Sequence, residues 1–257
     1  MFGRTVLTLL KRQEHEGKRV LTITADCISK NFKSTAALSN VSACALSGEV
    51  TGLLGENGAG KSTLLRILGG TLVQDAGQVV IDGKKVSLSE RRQSTTVLFG
   101  GNVGLYEDLS ARDNILYFAH LRGMGTKEST QELMRLSEQF DMRDYLDVRA
   151  GSLSKGMAQK TAIVRALIHS PKVILFDEPE SGLDFNASKL VNDFLKNSAR
   201  EGKTVVISSH SAGDIITICS QSIVLHKGAI KGAYSIDELT QGRTFQESYE
   251  ALHELVN

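Results

Sequence analysis

A lysine in a glycine-rich loop, and two acids ending an apolar run, are the residues whose types and spacing could do chemistry. The loop Gly55-Glu56-Asn57-Gly58-Ala59-Gly60-Lys61-Ser62-Thr63 fits the pattern G-x-x-x-x-G-K-[ST]. Its glycines let backbone N–H groups turn inward around phosphate oxygens with no side chain in the way. Lys61 can reach the β- and γ-phosphates of a nucleoside triphosphate, and the Ser62 hydroxyl can ligate Mg²⁺. The apolar run Val50–Leu54 predicts a buried strand leading in. Residues 62–68 predict a helix leading out, its N-terminus aimed at the anion. A plain glycine turn before a surface helix is the competing reading, and the strand–loop–helix context disfavours it.

Val173-Ile174-Leu175-Phe176-Asp177-Glu178-Pro179 is a second buried strand, ending in paired carboxylates. Four apolar residues rarely lead into two acids unless something cationic sits there. Asp177 is placed to hold a Mg²⁺ shell and Glu178 to polarise an attacking water. Leu153-Ser154-Lys155-Gly156-Met157 opens a later helix. Ser154 there is either a plain N-cap or part of a second anion-binding helix start. The second option needs another nucleotide, because the first loop already has its own helix.

The elements that must position these groups can be read along the chain. Residues 1–19 precede the first strand, at 20–25, and are expected to be a flexible extension; a membrane-surface or partner-docking segment is the alternative. Residues 22–47 look antiparallel, with turns at Lys33-Ser34 and Leu38-Ser39-Asn40. Residues 78–81, Asp82-Gly83 and 85–88 predict a hairpin, and Thr95–Phe99 another strand. From 111 to 170 the spacing turns helical, with Leu133, Leu136 and Phe140 in phase and a helix over 156–169. Beyond Pro171, strands at 173–176, 204–208 and 222–225 alternate with helices near 187–199 and 212–219, which implies a parallel sheet. The expected layout is an α/β nucleotide-binding domain over residues 20–240, with a β piece before the core and a helical insert at about 104–160. A helical tail follows at 241–257.

Bulk properties narrow the function. The 257 residues are 41% apolar and 23% charged, and 30 Lys and Arg against 29 Asp and Glu leave a net charge of +1. That balance gives no reason to expect nucleic acid or an acidic membrane as the main partner. Cys27, Cys44 and Cys219 are far apart and form no C-x-x-C, so free thiols in a reducing compartment are expected. No apolar run approaches the ~18 residues that cross a bilayer. Work at a membrane would therefore need another chain to supply the span.

Five motifs in order resemble the nucleotide-binding subunit of an ABC transporter, over about residues 21–235. Residues 55–63 match the phosphate loop, and 153–157 resemble the signature loop. Residues 176–179 match the second ATPase motif, and Ser181-Gly182-Leu183-Asp184 resembles the loop after it. His210 in Ser208-Ser209-His210 matches the switch histidine. The resemblance implies a P-loop NTPase core of ABC type, with an N-terminal antiparallel β subdomain and an inserted helical subdomain. It implies ATP and Mg²⁺ as cofactors. It also implies a head-to-tail pair of subunits, each ATP being held between one phosphate loop and the partner's signature loop.

Carried over by residue, the resemblance implies that Phe32 stacks on adenine and that Lys61 binds the phosphates. Gly55, Glu56, Asn57, Gly58, Ala59, Gly60 and Thr63 complete the cradle. Ser62 and Asp177 hold Mg²⁺, and Glu178 is the base. His210 contacts the γ-phosphate. Ser154 and Gly156 reach the ATP of the other subunit, and Asp184 links the two sites. Two departures stand out. Gly101 occupies the position of the usual Gln, with Asn102 a possible stand-in, and the signature has Lys155 and Met157 where Gly and Gln are usual. Both forms resemble the sodium-extrusion (Nat-type) branch, which serves ABC-2-type export permeases. The expectation is a cytoplasmic ATPase subunit, peripheral on the inner face of the cell membrane, in a homodimer. It would drive export of Na⁺ or a small hydrophobic substrate through a separate permease docked beside residues 102–109. A soluble non-transport ABC ATPase, or a regulatory nucleotide binder with weak turnover, is the alternative.

Overall fold

The computed structural model describes residues 22–99, 104–180 and 182–255. Gly101, Asn102, Ser181 and the 1–19 extension lie outside the described residues. Ten strands are seen among those described: β1 (Thr22–Phe32), β2 (Thr35–Leu46), β3 (Val50–Leu54), β4 (Ala76–Ile81), β5 (Lys84–Lys85), β6 (Thr95–Phe99), β7 (Val173–Asp177), β8 (Thr204–Ser209), β9 (Gln221–His226) and β10 (Ala229–Ser235). An antiparallel sheet has the order β2-β1-β4-β5, and a larger one the order β10-β9-β3-β8-β7-β6. The larger sheet is parallel apart from its edge strand β10.

Helices α1 (Lys61–Leu68) and α2 (Leu88–Ser94) follow the first strands. The helical block comprises α3 (Ala111–Leu121), α4 (Thr126–Gln139) and α5 (Lys155–Leu167). α6 (Phe185–Arg200), α7 (Ala212–Ile218), α8 (Ile236–Thr240) and α9 (Phe245–Glu254) complete the chain.

The middles of the parallel strands are apolar because helices or a second sheet cover both faces. All of β3 and β8 is buried. Alternation along β7 shows how the two sides differ. Ile174 and Phe176 enter a core with Ile115, Leu136, Phe140 and Ile163 of the helical block. Val173 and Leu175 enter a second core with Leu64, Leu65 and Ile67 of α1 and with Ile23, Ile28 and Val41 of the antiparallel sheet. Successive strand side chains point to opposite faces, so Asp177 falls on the α1 side. α1 is thus sandwiched between the sheets, with its first turn beside the acid-tipped end of β7.

Some local expectations are corrected. Leu38-Ser39-Asn40 is no turn; it lies inside β2 at a shift in register with β1. Asn40 takes a left-handed φ of 51° there, and its N–H donates to Ser29 Oγ at 3.0 Å. Asparagine tolerates that conformation, so its turn propensity was satisfied by a bulge. The return strand expected over 85–88 is only Lys84–Lys85. Ser87 and Glu90 form a reciprocal capping box that starts α2 instead. The carboxyl-terminal helix α9 is anchored by the fully buried Leu252, which shares its core with Ile215 and Ile236.

Candidate functional site

The phosphate loop is shaped by where its glycines sit. Gly58 and Gly60 have φ of 83° and 106°. A Cβ on Gly60 would stand 2.7 Å from the Ala37 carbonyl oxygen, and one on Gly55 would stand 2.2 Å from that of Leu225. Gly60 is the N-cap of α1, without a side-chain cap and with no acid in the first turn. The orphan N–H groups and the helix dipole are left facing the loop, where an anion would be stabilised.

A cavity of about 450 Å³ opens over this loop, lined by residues 56–63 with Ala37, Asp177 and Glu178. Lys61 is buried, and its Nζ donates to the carbonyl oxygens of Gly55 at 2.7 Å and Glu56 at 3.1 Å. Burial lowers its pKa, opposed by the nearby charges of Glu178 and Asp177. A phosphate in the cavity would offer this ammonium a stronger partner than the two carbonyls.

Asp177 accepts a hydrogen bond at Oδ1 from Ser208 Oγ. Glu178 adopts a left-handed φ of 48°. Its N–H donates to the Ser208 carbonyl at 3.2 Å and the Ser208 hydroxyl at 3.1 Å. Its Oε1 lies 2.9 Å from His210 Nδ1. The structure therefore brings together the loop, Asp177, Glu178 and His210, although His210 is remote from all of them in sequence.

The remaining candidates stand apart from this cavity. Phe32 ends β1, half-exposed, with Lys30 Nζ 5.6 Å from its ring centroid. Ser154 caps α5, accepting the Met157 N–H at 3.2 Å, and Gly156 has open space where a Cβ would stand. Asp184 caps α6, accepting the Ala187 N–H at 2.8 Å. None of these four lines the phosphate cavity.

Two features escaped the sequence reading. Ser208 contacts both acids, and Ser209 Oγ donates to Asp214 Oδ2 at 2.8 Å. The available signal was a serine pair ending an otherwise apolar strand. A smaller cavity, about 210 Å³, lies on the other side of Glu178, lined among others by Glu180, His210, Asp214 and Ile218. Burial raises the pKa of Glu180, the Asn192 hydrogen bond opposes that, and Asp214 adds to it.

A strand, a glycine loop and a helix, with an acid-tipped parallel strand alongside, define a P-loop nucleoside triphosphatase. The family model described as ABC transporter matches residues 38–181. The chain is 42% identical over 217 residues to the ABC transporter ATP-binding protein NatA of Bacillus subtilis (strain 168), covering 82% of this chain and 87% of that protein. It is 34% identical over 203 residues to the Nod factor export ATP-binding protein I of Rhizobium sp. (strain N33), covering 78% of this chain and 66% of that one. A bacterial ABC transporter cassette solved as a dimer superposes with a TM-score of 0.76 at 25% identity, over 83% of this chain and 98% of that chain. The chain belongs to the ABC transporter family, as its ATP-binding, ATP-hydrolysing component. The expected fold and the resemblance to the Nat-type branch are both borne out.

Proposed function

We propose that this chain drives export through a separate ABC-2-type permease, hydrolysing ATP as a homodimer that holds two nucleotides between its subunits. The observation that carries this reading is the split between the phosphate cavity and the second anion-binding helix start. Residues 56–63, Asp177 and Glu178 line one cavity, and Ser154 and Gly156 lie outside it. A head-to-tail partner would bring its own Ser154 and Gly156 over the ATP. Similarity to a Nod factor export ATP-binding protein supports export; the substrate we propose is Na⁺ or a small hydrophobic compound.

In this reading the phosphates replace the Gly55 and Glu56 carbonyls on Lys61, and Phe32 stacks on the adenine. Glu178 takes a proton from the attacking water, and His210 holds the Glu178 carboxylate and meets the γ-phosphate. Asp184 carries the state of one site to the other. The hydroxyl of Ser62 and the carboxylate of Asp177 are the hard oxygen donors that Mg²⁺ takes. Among the described residues no cluster of three or more His, Cys, Asp or Glu could hold a metal ion. That suits a cation bound through one or two protein oxygens plus phosphates. Mg²⁺ there would neutralise charge developing on the transferred phosphoryl group.

No helix among the described residues is long and apolar enough to cross a membrane. We place the chain on the cytoplasmic face, docked through the surface beside residues 102–109. Exposed Tyr106, Leu109, Tyr117 and Leu121 support that placement, with Tyr106 edge-on to Tyr117 at 5.6 Å. Glu178→Gln should trap an ATP-bound dimer and reduce phosphate release by about 100-fold or more, the scale of losing a general base. A variant that stays monomeric by light scattering in saturating Mg-ATP would overturn the proposal.

A further inference from the structure

We propose that Ser208 is a positioning residue of the hydrolytic site, its one hydroxyl locking Asp177 and Glu178 into the arrangement that accepts the metal. The proposal rests on the roles given above to those two acids.

The argument begins with register. β7 and β8 run parallel, and Asp177 is the partner of Ser208. Val205 and Ile207 of β8 enter the core shared with the helical block, and Val206 enters the core shared with α1. Alternation then puts Ser208 on the α1 side, with Asp177. Ser209 falls on the opposite side, where it serves Asp214. The two adjacent serines therefore do different work, and only Ser208 can reach the acids.

Ser208 is fully buried, and Val205, Val206 and Ile207 precede it in β8. A buried hydroxyl is kept satisfied, and among the described residues this one is satisfied by Asp177 and Glu178. It has one proton and two lone pairs. The proton goes to Asp177 Oδ1, so the carboxylate is held as an acceptor and cannot turn freely. Its second oxygen stays available to a cation. A lone pair of the same hydroxyl accepts the Glu178 N–H at 3.1 Å. That bond helps hold the left-handed backbone, φ 48°, from which the Glu178 side chain reaches His210. An apolar residue in place of Ser208 would free the Asp177 carboxylate and leave the Glu178 N–H held by the Ser208 carbonyl alone.

The test compares Ser208→Ala and Ser208→Thr with the unaltered chain. Mn²⁺ affinity in the presence of a non-hydrolysable ATP analogue is read by electron paramagnetic resonance, beside kcat and half-saturating Mg²⁺. Nucleotide binding in EDTA and the melting temperature report on the fold. Loss of one charge-assisted hydrogen bond should weaken Mn²⁺ binding by about tenfold in Ser208→Ala. Half-saturating Mg²⁺ should rise and kcat fall, with metal-free nucleotide binding unchanged, and Ser208→Thr should restore the metal affinity. Wild-type Mn²⁺ affinity in Ser208→Ala, or an equal loss in Ser208→Thr, would overturn the proposal. If Ser208→Ala does not fold, Ser208→Cys, a similar shape with a weak donor, replaces it under the same criteria. Asp177→Asn is run alongside. If it keeps Mn²⁺, the metal assignment itself has failed; if it loses Mn²⁺ and Ser208→Ala does not, only the Ser208 proposal falls.

Discussion

Glu178 meets two demands that conflict in most sequences. It must follow directly on a buried strand, and its carboxylate must turn toward the cavity and His210. A left-handed backbone does both, at a cost of about 1–2 kcal/mol for a residue with a Cβ. The hydrogen bonds from its N–H to Ser208 offset that cost. His169 shows a residue effect outside the site. Burial, with Arg122 and Lys203 nearby, lowers its pKa from 6.5 to about 4, and its Nε2 has no hydrogen-bond partner among the described residues. Between those values the unfolded chain binds a proton that the folded chain refuses. This contribution is therefore fully present above pH 6.5 and is lost as pH falls through that window toward 4. The melting temperature should fall between pH 7.5 and 5, about neutral and mildly acid, and His169→Asn should flatten part of that fall. An equally steep fall in the variant would contradict the assignment.

At the scale of elements, close approach decides where α7 lies, and α7 follows directly on His210. Gly52 in β3 makes the approach possible. A Cβ there would stand 2.5 Å from Ile215 Cδ1 and 2.9 Å from Cys219 Sγ. Gly52→Ala should destabilise the chain by about 1–3 kcal/mol through overpacking, read as a lower urea midpoint at unchanged slope. No change in midpoint would mean that α7 yields freely. Long apolar strands and periodic helices were legible in the sequence because burial on both faces, or on one, leaves a clear pattern. Short elements were not. α2 was missed because its Ser87–Glu90 capping box starts a helix where the hydrophobic pattern suggested a continuing strand. The bulge at Asn40 was read as a turn because the same residue chemistry serves both.

At the scale of the molecule, the phosphate loop with Asp177, Glu178 and His210 forms one assembled centre, and Ser154, Gly156 and Asp184 stand outside it. Ser154→Arg should keep monomer binding of a fluorescent ATP analogue and abolish the ATP-dependent dimer in the Glu178→Gln background. Losing the N-cap costs only about 1 kcal/mol, so the fold should survive. A dimer of normal stability would remove Ser154 from the interface. The sequence alone determined the P-loop class, the family and the alternation of the main strands and helices, because those depend on local spacing: glycines that need free φ, a lysine next to them, apolar runs of set length. Tertiary structure alone decided that the end of β8 lies against the end of β7, with Ser208 on the face of Asp177 and Ser209 on the other. That outcome depends on parallel strand register and side-chain alternation between chain segments about 30 residues apart. No local pattern encodes which of two adjacent serines faces the acids.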